Sequence, residues 1–175
     1  MSLVNRVISR DDHAAFARLV QIHQNLIRHF LRRLTAGDHA TAEDLSQETF
    51  LLAYRKIRQF KGKGSFSAWL HTIAYRLFLK QIKPVQVVSF DAELHSQATG
   101  SNPNDADLEA ERLMQILNQK ERAVITLSCA AGMSHGEIQA VTQLPLGTIK
   151  SLIQRGRQKL LKHFAQPTKQ QQVSS

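Results

Sequence analysis

The sequence predicts an all-α protein of two small helical domains joined by a flexible acidic linker. Apolar residues recur three and four positions apart through most of the chain, which is the period of an amphipathic helix. Charge is the second observation: residues 1–83 hold 14 basic and 6 acidic residues, residues 84–112 hold 1 and 6, and residues 113–175 hold 8 and 2. Two basic blocks around an acidic connector indicate two modules. We expect domains at 1–83 and 108–166, a linker at 84–107 and a disordered tail at 167–175.

Composition limits the class of protein further. With 175 residues and 42% hydrophobic content the chain can bury a core, and a net charge of +9 favours a polyanionic partner. The single cysteine, Cys129, excludes a disulfide framework, fits a reducing compartment and is expected to pack in a helix. The N-terminus lacks the apolar core of a signal peptide, and no apolar run has the length of a membrane span. We therefore expect a cytoplasmic protein.

The first block begins with two long helices. The first keeps its apolar period from about Asp11 to Leu34, and Gly37 lies just beyond as a C-terminal stop. Thr41 is expected to cap the second helix, which continues to about Phe60.

Acidic residues cluster at the start of that second helix, where they complement its dipole. Asp44 and Glu48, four apart, could ligate a divalent metal as in a nuclease, but no third ligand joins them at a metal-site spacing. A solvated face, or a docking face for a basic partner, is the better interpretation.

The stretch between Thr49 and Phe90 contains no acidic residue and many basic ones. Residues 61–65 form a flexible basic loop, and Ser65 or Ser67 is expected to cap a helix that runs to Pro84.

Aromatic residues alternate with the charges of this acid-free stretch. Cations that follow phosphates, with rings that stack on bases, are typical of a surface for single-stranded nucleic acid. Phe66 and Trp69 share one helical face and are expected to be mostly structural, whereas Tyr75 is expected to be the exposed ring.

The second block contains two capping patterns. Asn104 or Asp105 is expected to start a helix, and Asn118 with Glu121 to start the next. Ser134 and Glu137 form a further capping box, and Pro145 interrupts the helix that follows. Another helix then opens near Gly147 or Thr148, so residues 132–164 predict a helix-turn-helix.

The last of these helices has two distinct faces. Its apolar face is predicted to consist of Ile149, Ile153, Gly156, Leu160 and Phe164. The first turn of such a helix enters the DNA major groove, which places Thr148, Lys150 and Ser151 at base edges and Arg155, Arg157 and Lys159 at the backbone. The alternative is a solvated basic face on an ordinary helical hairpin.

Both blocks resemble one family, the bacterial RNA polymerase sigma factors of the extracytoplasmic-function type. In the first block the resemblance rests on Ala42–Phe50, Phe60–Phe66, Trp69–Leu70 and Ile73–Ala74. In the second it rests on Leu117, Arg122, Gly132, Ser134, Glu137, Ile138, Pro145 and Gly147–Ser151.

The resemblance implies a division of roles. Glu43, Asp44, Gln47 and Glu48 would dock on the clamp helices of the largest subunit of core RNA polymerase. Strand separation and capture of an unstacked promoter base would fall to Lys61, Lys63, Ser65, Tyr75, Arg76 and Lys80. The linker would thread toward the active-site cleft, and the second block would read the upstream promoter element as duplex. The protein would use no cofactor or metal, would catalyse nothing itself and would have an anti-sigma factor as a partner.

Three residues depart from the family pattern. The family usually has Asn at the position of Arg76 and Asp at that of Lys80, so base choice in the melted element can differ. It often has Arg at the position of Leu152, near the DNA-facing side of the last helix.

A stand-alone helix-turn-helix regulator of the response-regulator effector type is the main alternative. It explains residues 118–164 only and leaves the acid-free block without a purpose. A nucleic-acid enzyme ranks third, because the sequence shows no carboxylate cluster, nucleophile elbow, phosphate-binding loop or zinc signature.

Overall fold

The structure is a computed structural model that describes residues 2–62, 64–82 and 105–165. These residues form helices and turns, with no strand among them, which confirms the predicted fold class. The helices are α1 (Leu3–Arg10), α2 (His13–Leu34), α3 (His39–Lys56), α4 (Phe66–Ile82), α5 (Asp105–Gln115), α6 (Gln119–Cys129), α7 (His135–Thr142) and α8 (Leu146–Ala165), with a 3₁₀ turn at Ile57–Gln59. We call α1–α4 the first half and α5–α8 the second half.

The short helix α1 was not anticipated from the sequence. The Ser2 hydroxyl accepts the Asn5 N–H at its start, and Val7 buries itself against Leu19 and Ile57. An eight-residue helix has little intrinsic stability, so this packing is what maintains it.

The end of α2 and the start of α3 are set by local hydrogen bonds. Gly37, with φ of 90°, donates its N–H to the Arg32 carbonyl at 2.9 Å, which confirms it as the stop signal. The predicted Thr41 cap is wrong: α3 begins at His39, and the Asp38 carboxylate accepts the Thr41 N–H at 3.0 Å. Asp38 stands three residues before Thr41, so Thr41 occupies the first turn that Asp38 caps.

The remaining caps agree with the sequence patterns. The Ser65 hydroxyl accepts the Ala68 N–H at 3.0 Å at the start of α4. Capping boxes are present at Asn118 with Glu121 and at Ser134 with Glu137. Asn104 lies outside the described residues, and α5 begins at Asp105, inside the segment expected to be linker.

The largest buried cluster runs through both halves. In the first half, α2, α3 and α4 pack around Phe30, Leu31 and Leu70, and in the second half, Val124 and Ile149 belong to the same cluster. Helix α2 contacts both α5 and α6. The two halves are therefore packed against each other, which the sequence did not predict.

The second half contains the predicted helix-turn-helix. Helix α7 ends with Gln143 at φ of 61°, and α8 opens at Leu146, one residue after Pro145. Glycine at position 156 permits α8 to approach α6, where Ile125 lies against it. Within the described part of the chain, no helix combines the length and the apolar content that a membrane span needs.

Candidate nucleic-acid interface

The polar residues near the start of α3 differ in whether they are bound to another side chain. Asp44, Gln47 and Glu48 are exposed. Glu43 is held by the Arg28 guanidinium, with Nε 2.7 Å from Oε2 and Nη2 3.1 Å from Oε1. These hydrogen bonds from Arg28 lower the pKa of Glu43 despite its partial burial. Glu43 is thus committed to packing α3 on α2, whereas the other three can meet a partner.

An exposed leucine adjoins this acidic surface and was missed from the sequence. Leu51 is 61% exposed and lies one turn after Gln47 and Glu48 on the same side of α3. The sequence did contain a signal for this exposure, because Leu51 is an apolar residue that lies outside the buried face of α3. An apolar side chain beside carboxylates makes this surface suited to a protein partner.

The basic loop before α4 is exposed wherever the structure describes it. Lys61 and Ser65 are accessible, Gly62 and Gly64 have positive φ, and Lys63 lies outside the described residues. On α4, Arg76 and Lys80 are exposed and one turn apart, so they share one side of the helix. The loop and this side of α4 present cations to solvent.

The expected exposure of Tyr75 is wrong. Tyr75 is 5% exposed and belongs to the buried cluster that also contains Ala123 and Val124 of α6. Burial raises the pKa of the Tyr75 phenol. The reason is tertiary: α4 packs on α2 and α3, and Tyr75 is part of the buried cluster that these helices form. Phe66 and Trp69 are half-buried, and their ring centroids lie 5.5 Å apart, as expected of mostly structural rings.

The residues of α8 that were predicted to contact DNA, apart from Lys159, lie on two flanks of the helix. Thr148, Ser151 and Arg155 follow one flank at helical spacing, and Lys150 with Arg157, seven residues apart, follow the other. All are exposed except Thr148, which is half-buried.

Lys159 stands apart from the other predicted DNA contacts. Its ammonium lies 2.7 Å from Oε2 of Glu121, a side chain that is 2% exposed. Lys159 is therefore engaged within the second half.

Three further expectations about side chains of the second half are wrong. Leu152 is buried beside Ile149 and Ile153 and does not face DNA, because its helical position turns it toward the core. Phe164 is 62% exposed, because the 20 residues of α8 extend beyond the 11 of α6. Cys129 is exposed, because it ends α6 at the surface.

Metal ligation finds no support in the part of the chain that the structure describes. No group of three or more histidine, cysteine or acidic side chains converges there. Asp44 and Glu48 are left as an exposed pair on α3.

Comparison with known families gives a match for each half of the chain. Residues 19–84 match Sigma-70 region 2, and residues 107–160 match Sigma-70, region 4.

Similar proteins span most of the chain. The ECF RNA polymerase sigma factor SigW of Bacillus subtilis (strain 168) is 34% identical over 174 residues, covering 90% of this chain and 92% of that protein. The RNA polymerase sigma-H factor of Pseudomonas aeruginosa is 33% identical, covering 89% of each. For the ECF RNA polymerase sigma factor SigE of Mycolicibacterium smegmatis the identity is 33%, and the match covers 84% of this chain but 60% of that longer protein.

Solved structures share the fold. The sigma factor RpoE in complex with the anti-sigma factor NepR from Bartonella quintana matches with a TM-score of 0.63 and 25% identity, over 85% of this chain and 96% of that one. CnrH in complex with the cytosolic domain of CnrY matches with a TM-score of 0.65 and 24% identity, over 93% and 94% of the two chains.

The two matched regions, in this order on one all-α chain, define a transcription initiation factor that binds DNA. The chain belongs to the extracytoplasmic-function (ECF) family of RNA polymerase sigma factors. The resemblance seen in the sequence is confirmed.

Proposed function

We propose that the two halves of this sigma factor divide the work of initiation among three separate surfaces. The protein is an alternative sigma factor that directs promoter recognition and transcription initiation through core RNA polymerase. One observation carries the division: an acidic surface on α3 and basic surfaces on α4 and α8 lie on separate helices of one chain.

The acidic surface of α3 docks on core polymerase. Asp44, Gln47 and Glu48 make the polar contacts, and Leu51 contributes an apolar one. Glu43 acts indirectly, because its bond to Arg28 orients α3 on α2. Rim charges of this kind govern association rate and choice of partner more than total affinity.

The loop at 61–65 and helix α4 open the promoter and hold the displaced strand. Lys61, Lys63, Arg76 and Lys80 supply cations along the phosphates, and Ser65 caps the helix that presents them. The Tyr75 ring is buried, so it does not belong to this surface.

Helix α8 reads the upstream element as duplex. Its first turn supplies Thr148, Lys150 and Ser151 to base edges, and Arg155 and Arg157 contact the backbone. We exclude Lys159 from this set because Glu121 holds its ammonium.

The remaining assignments follow from the family. The protein acts in the cytoplasm as a binding factor without catalysis of its own, and the solved complex of RpoE with NepR supports an anti-sigma factor as a partner.

Run-off transcription from a library of promoter fragments tests the proposal. Core polymerase alone is compared with core polymerase plus the protein. New start sites that require the protein are the expected result, and their shared upstream sequences give its specificity. Binding to duplex DNA without binding to core and without new start sites would favour the stand-alone regulator instead.

A further inference from the structure

One side of helix α4 carries a line of four side chains. Trp69, Thr72, Arg76 and Lys80 are spaced three and four residues apart, so they share one side of the helix. We call this line the α4 strip. Arg76 and Lys80 are exposed, whereas Trp69 and Thr72 are half-buried. Neither cation forms an ion pair within the described part of the chain, and the strip belongs to the acid-free stretch of the sequence. The strip therefore offers two cations to a ligand in solvent.

The opposite side of α4 fixes the direction in which the strip points. Leu70, Ala74 and Leu77 are buried there, and α4 contacts both α2 and α3. A helix packed closely on two neighbours cannot rotate without disrupting the core. The side chains of the strip are thus presented from a rigid element, which precise recognition of a ligand requires.

Arg76 is the polar residue of the strip that is suited to read a base. The Thr72 hydroxyl donates to the Ala68 carbonyl at 3.0 Å, so its hydrogen is already used. The Lys80 ammonium is a compact point charge without a fixed plane of donors, which suits a phosphate. The Arg76 guanidinium is planar and presents parallel N–H donors, so it can form two hydrogen bonds at once with a pair of adjacent acceptors.

Guanine is the base whose edge matches this pair of donors. In the major groove it presents two adjacent acceptors, O6 and N7, whereas adenine presents N7 beside a donating amino group. Thymine presents one acceptor there, and cytosine presents a donor. The O6–N7 edge remains accessible in the Watson–Crick pair, so guanine offers it both in the duplex and in the separated strand. A contact with this edge can form before the strands part and persist afterwards.

The aromatic end of the strip complements such a contact. Trp69 lies seven residues before Arg76 on the same side of α4, and its ring centroid is 5.5 Å from those of Phe60 and Phe66. These neighbours hold the half-buried indole in place. An aromatic face of this kind stacks on any base, so it holds the strand without selecting its sequence. Selection is then left to Arg76.

We propose that Arg76 makes the protein specific for a guanine in the promoter segment that α4 opens, through hydrogen bonds from its guanidinium to O6 and N7. This inference rests on the proposed function of the α4 surface and refines it, because Arg76 contacts a base while Lys80 follows the phosphates.

Run-off transcription with core polymerase and the full-length protein tests the inference. The templates derive from one promoter that the protein uses, with each position of the melted segment changed in turn to each of the four bases. Wild type is compared with Arg76→Asn and Lys80→Ala. Gln81→Ala is the matched control, because Gln81 is exposed on the same helix but lies off the strip. Circular dichroism of each variant confirms that the helices remain folded.

We expect wild type to prefer guanine at one position by about fivefold or more, the discrimination typical of a bidentate contact. Arg76→Asn should shift the preference at that position to adenine, since an amide pairs with N6 and N7 of adenine. Lys80→Ala should lower transcription by a similar factor on all templates, and Gln81→Ala should leave the order of the bases unchanged.

A template with 7-deazaguanine at the preferred position tests the contact atom by atom. This analogue lacks the N7 acceptor but keeps O6 and the Watson–Crick edge. Transcription by the wild type should fall severalfold on this template relative to guanine, whereas transcription by Arg76→Asn should differ little between the two.

Three results would overturn the inference: no position that prefers guanine, a guanine preference that survives in Arg76→Asn, or equal wild-type activity on guanine and 7-deazaguanine. A preference for cytosine, whose adjacent acceptors O2 and N3 are accessible only after melting, would also contradict it. Failure of the proposed function has a different signature, because no template would then give a start site that requires the protein, whatever its base.

Discussion

The ammonium of Lys159 lies 2.7 Å from Oε2 of Glu121, and this carboxylate also accepts the Asn118 N–H at 3.1 Å. One buried acid thereby caps α6 and binds α8. Burial alone would raise the pKa of Glu121. The Lys159 ammonium and the hydrogen bond from Asn118 lower it by more than burial raises it, so the net pKa lies below its usual value. The residue that the sequence assigned to DNA is used to join two helices.

Lys159→Ala should therefore lower stability more than it lowers DNA affinity. The substitution leaves the Glu121 carboxylate buried without its cation, which should reduce the free energy of unfolding by about 1–2 kcal/mol, given that the lysine is partly exposed. Urea unfolding measures the loss, and fluorescence anisotropy measures DNA binding. Lys162→Ala, exposed one turn later, is the matched control. A loss of DNA affinity in Lys159→Ala equal to that in Arg155→Ala, with unchanged stability, would contradict this assignment.

Arg155→Ala should weaken binding to duplex DNA while sparing core polymerase. Loss of one phosphate contact should reduce the slope of log K against log salt by about one. The measurement is DNA affinity at several salt concentrations, with pull-down of core polymerase alongside.

Asp44→Lys should do the reverse, because it reverses a charge on the exposed surface of α3. Affinity for core polymerase should fall, whereas binding of the isolated protein to duplex DNA should change little. Glu109→Lys makes the same change of charge on α5 and serves as the control. Equal effects of Arg155→Ala and Asp44→Lys on both activities would refute the division of labour.

The neutral histidine in the core predicts a pH dependence of stability. His71 is buried, its Nδ1–H donates to the Ser67 carbonyl at 2.7 Å, and its Nε2 is buried without a hydrogen-bond partner among the described residues. Burial lowers the pKa of His71 from 6.5, and the Ser67 carbonyl offsets this only in part. The unfolded chain therefore takes up a proton below about pH 6.5 that the folded chain resists, so stability should fall as pH falls through this range.

His71→Leu should remove that part of the pH dependence. The difference between wild type and variant isolates His71 from the other histidines, and it should approach a slope of up to about 1.4 kcal/mol per pH unit below pH 6.5. Urea unfolding between pH 7.5 and pH 5 measures it. Identical slopes in the two proteins would mean that His71 binds protons equally in the folded and unfolded chains, contrary to a lowered pKa.

Local signals in the sequence were sufficient for most of the helices and their starts, but they missed α1 and the cap of α3. A capping box depends on two residues three apart, so Ser134 with Glu137 could be recognised without knowledge of the fold. The same locality allowed the turn before α8 to be predicted from Pro145. The cap at Asp38 was missed because Asp38 and Thr41 are both residue types that cap helices, and the pattern of the sequence does not choose between them.

The exposure of individual side chains could not be predicted in the same way. Tyr75 is part of a buried cluster whose other members, such as Phe30 and Val124, are distant in sequence, and no periodicity of α4 predicts that burial. Leu152 faces the core although a family pattern put it toward DNA, and Lys159 binds Glu121 although its neighbours are free. Sequence therefore predicts most of the elements and the charge of the candidate surfaces, and tertiary packing decides which side chains are exposed.

The close approach of α8 to α6 gives a prediction about Gly156. A Cβ at this position would lie 2.3 Å from Cδ1 of Ile125, so Gly156→Ala must displace that side chain in a packed interface. Overpacking of this kind typically costs about 1–3 kcal/mol, against a gain of about 1 kcal/mol in helix propensity, so we expect a net loss of roughly 1 kcal/mol. Ile125→Val removes Cδ1 and makes room for the new methyl group. In that background Gly156→Ala should be neutral or stabilising, and a double-mutant cycle by urea unfolding measures the coupling. Additive effects of the two substitutions would show that the glycine is required for some reason other than contact with Ile125.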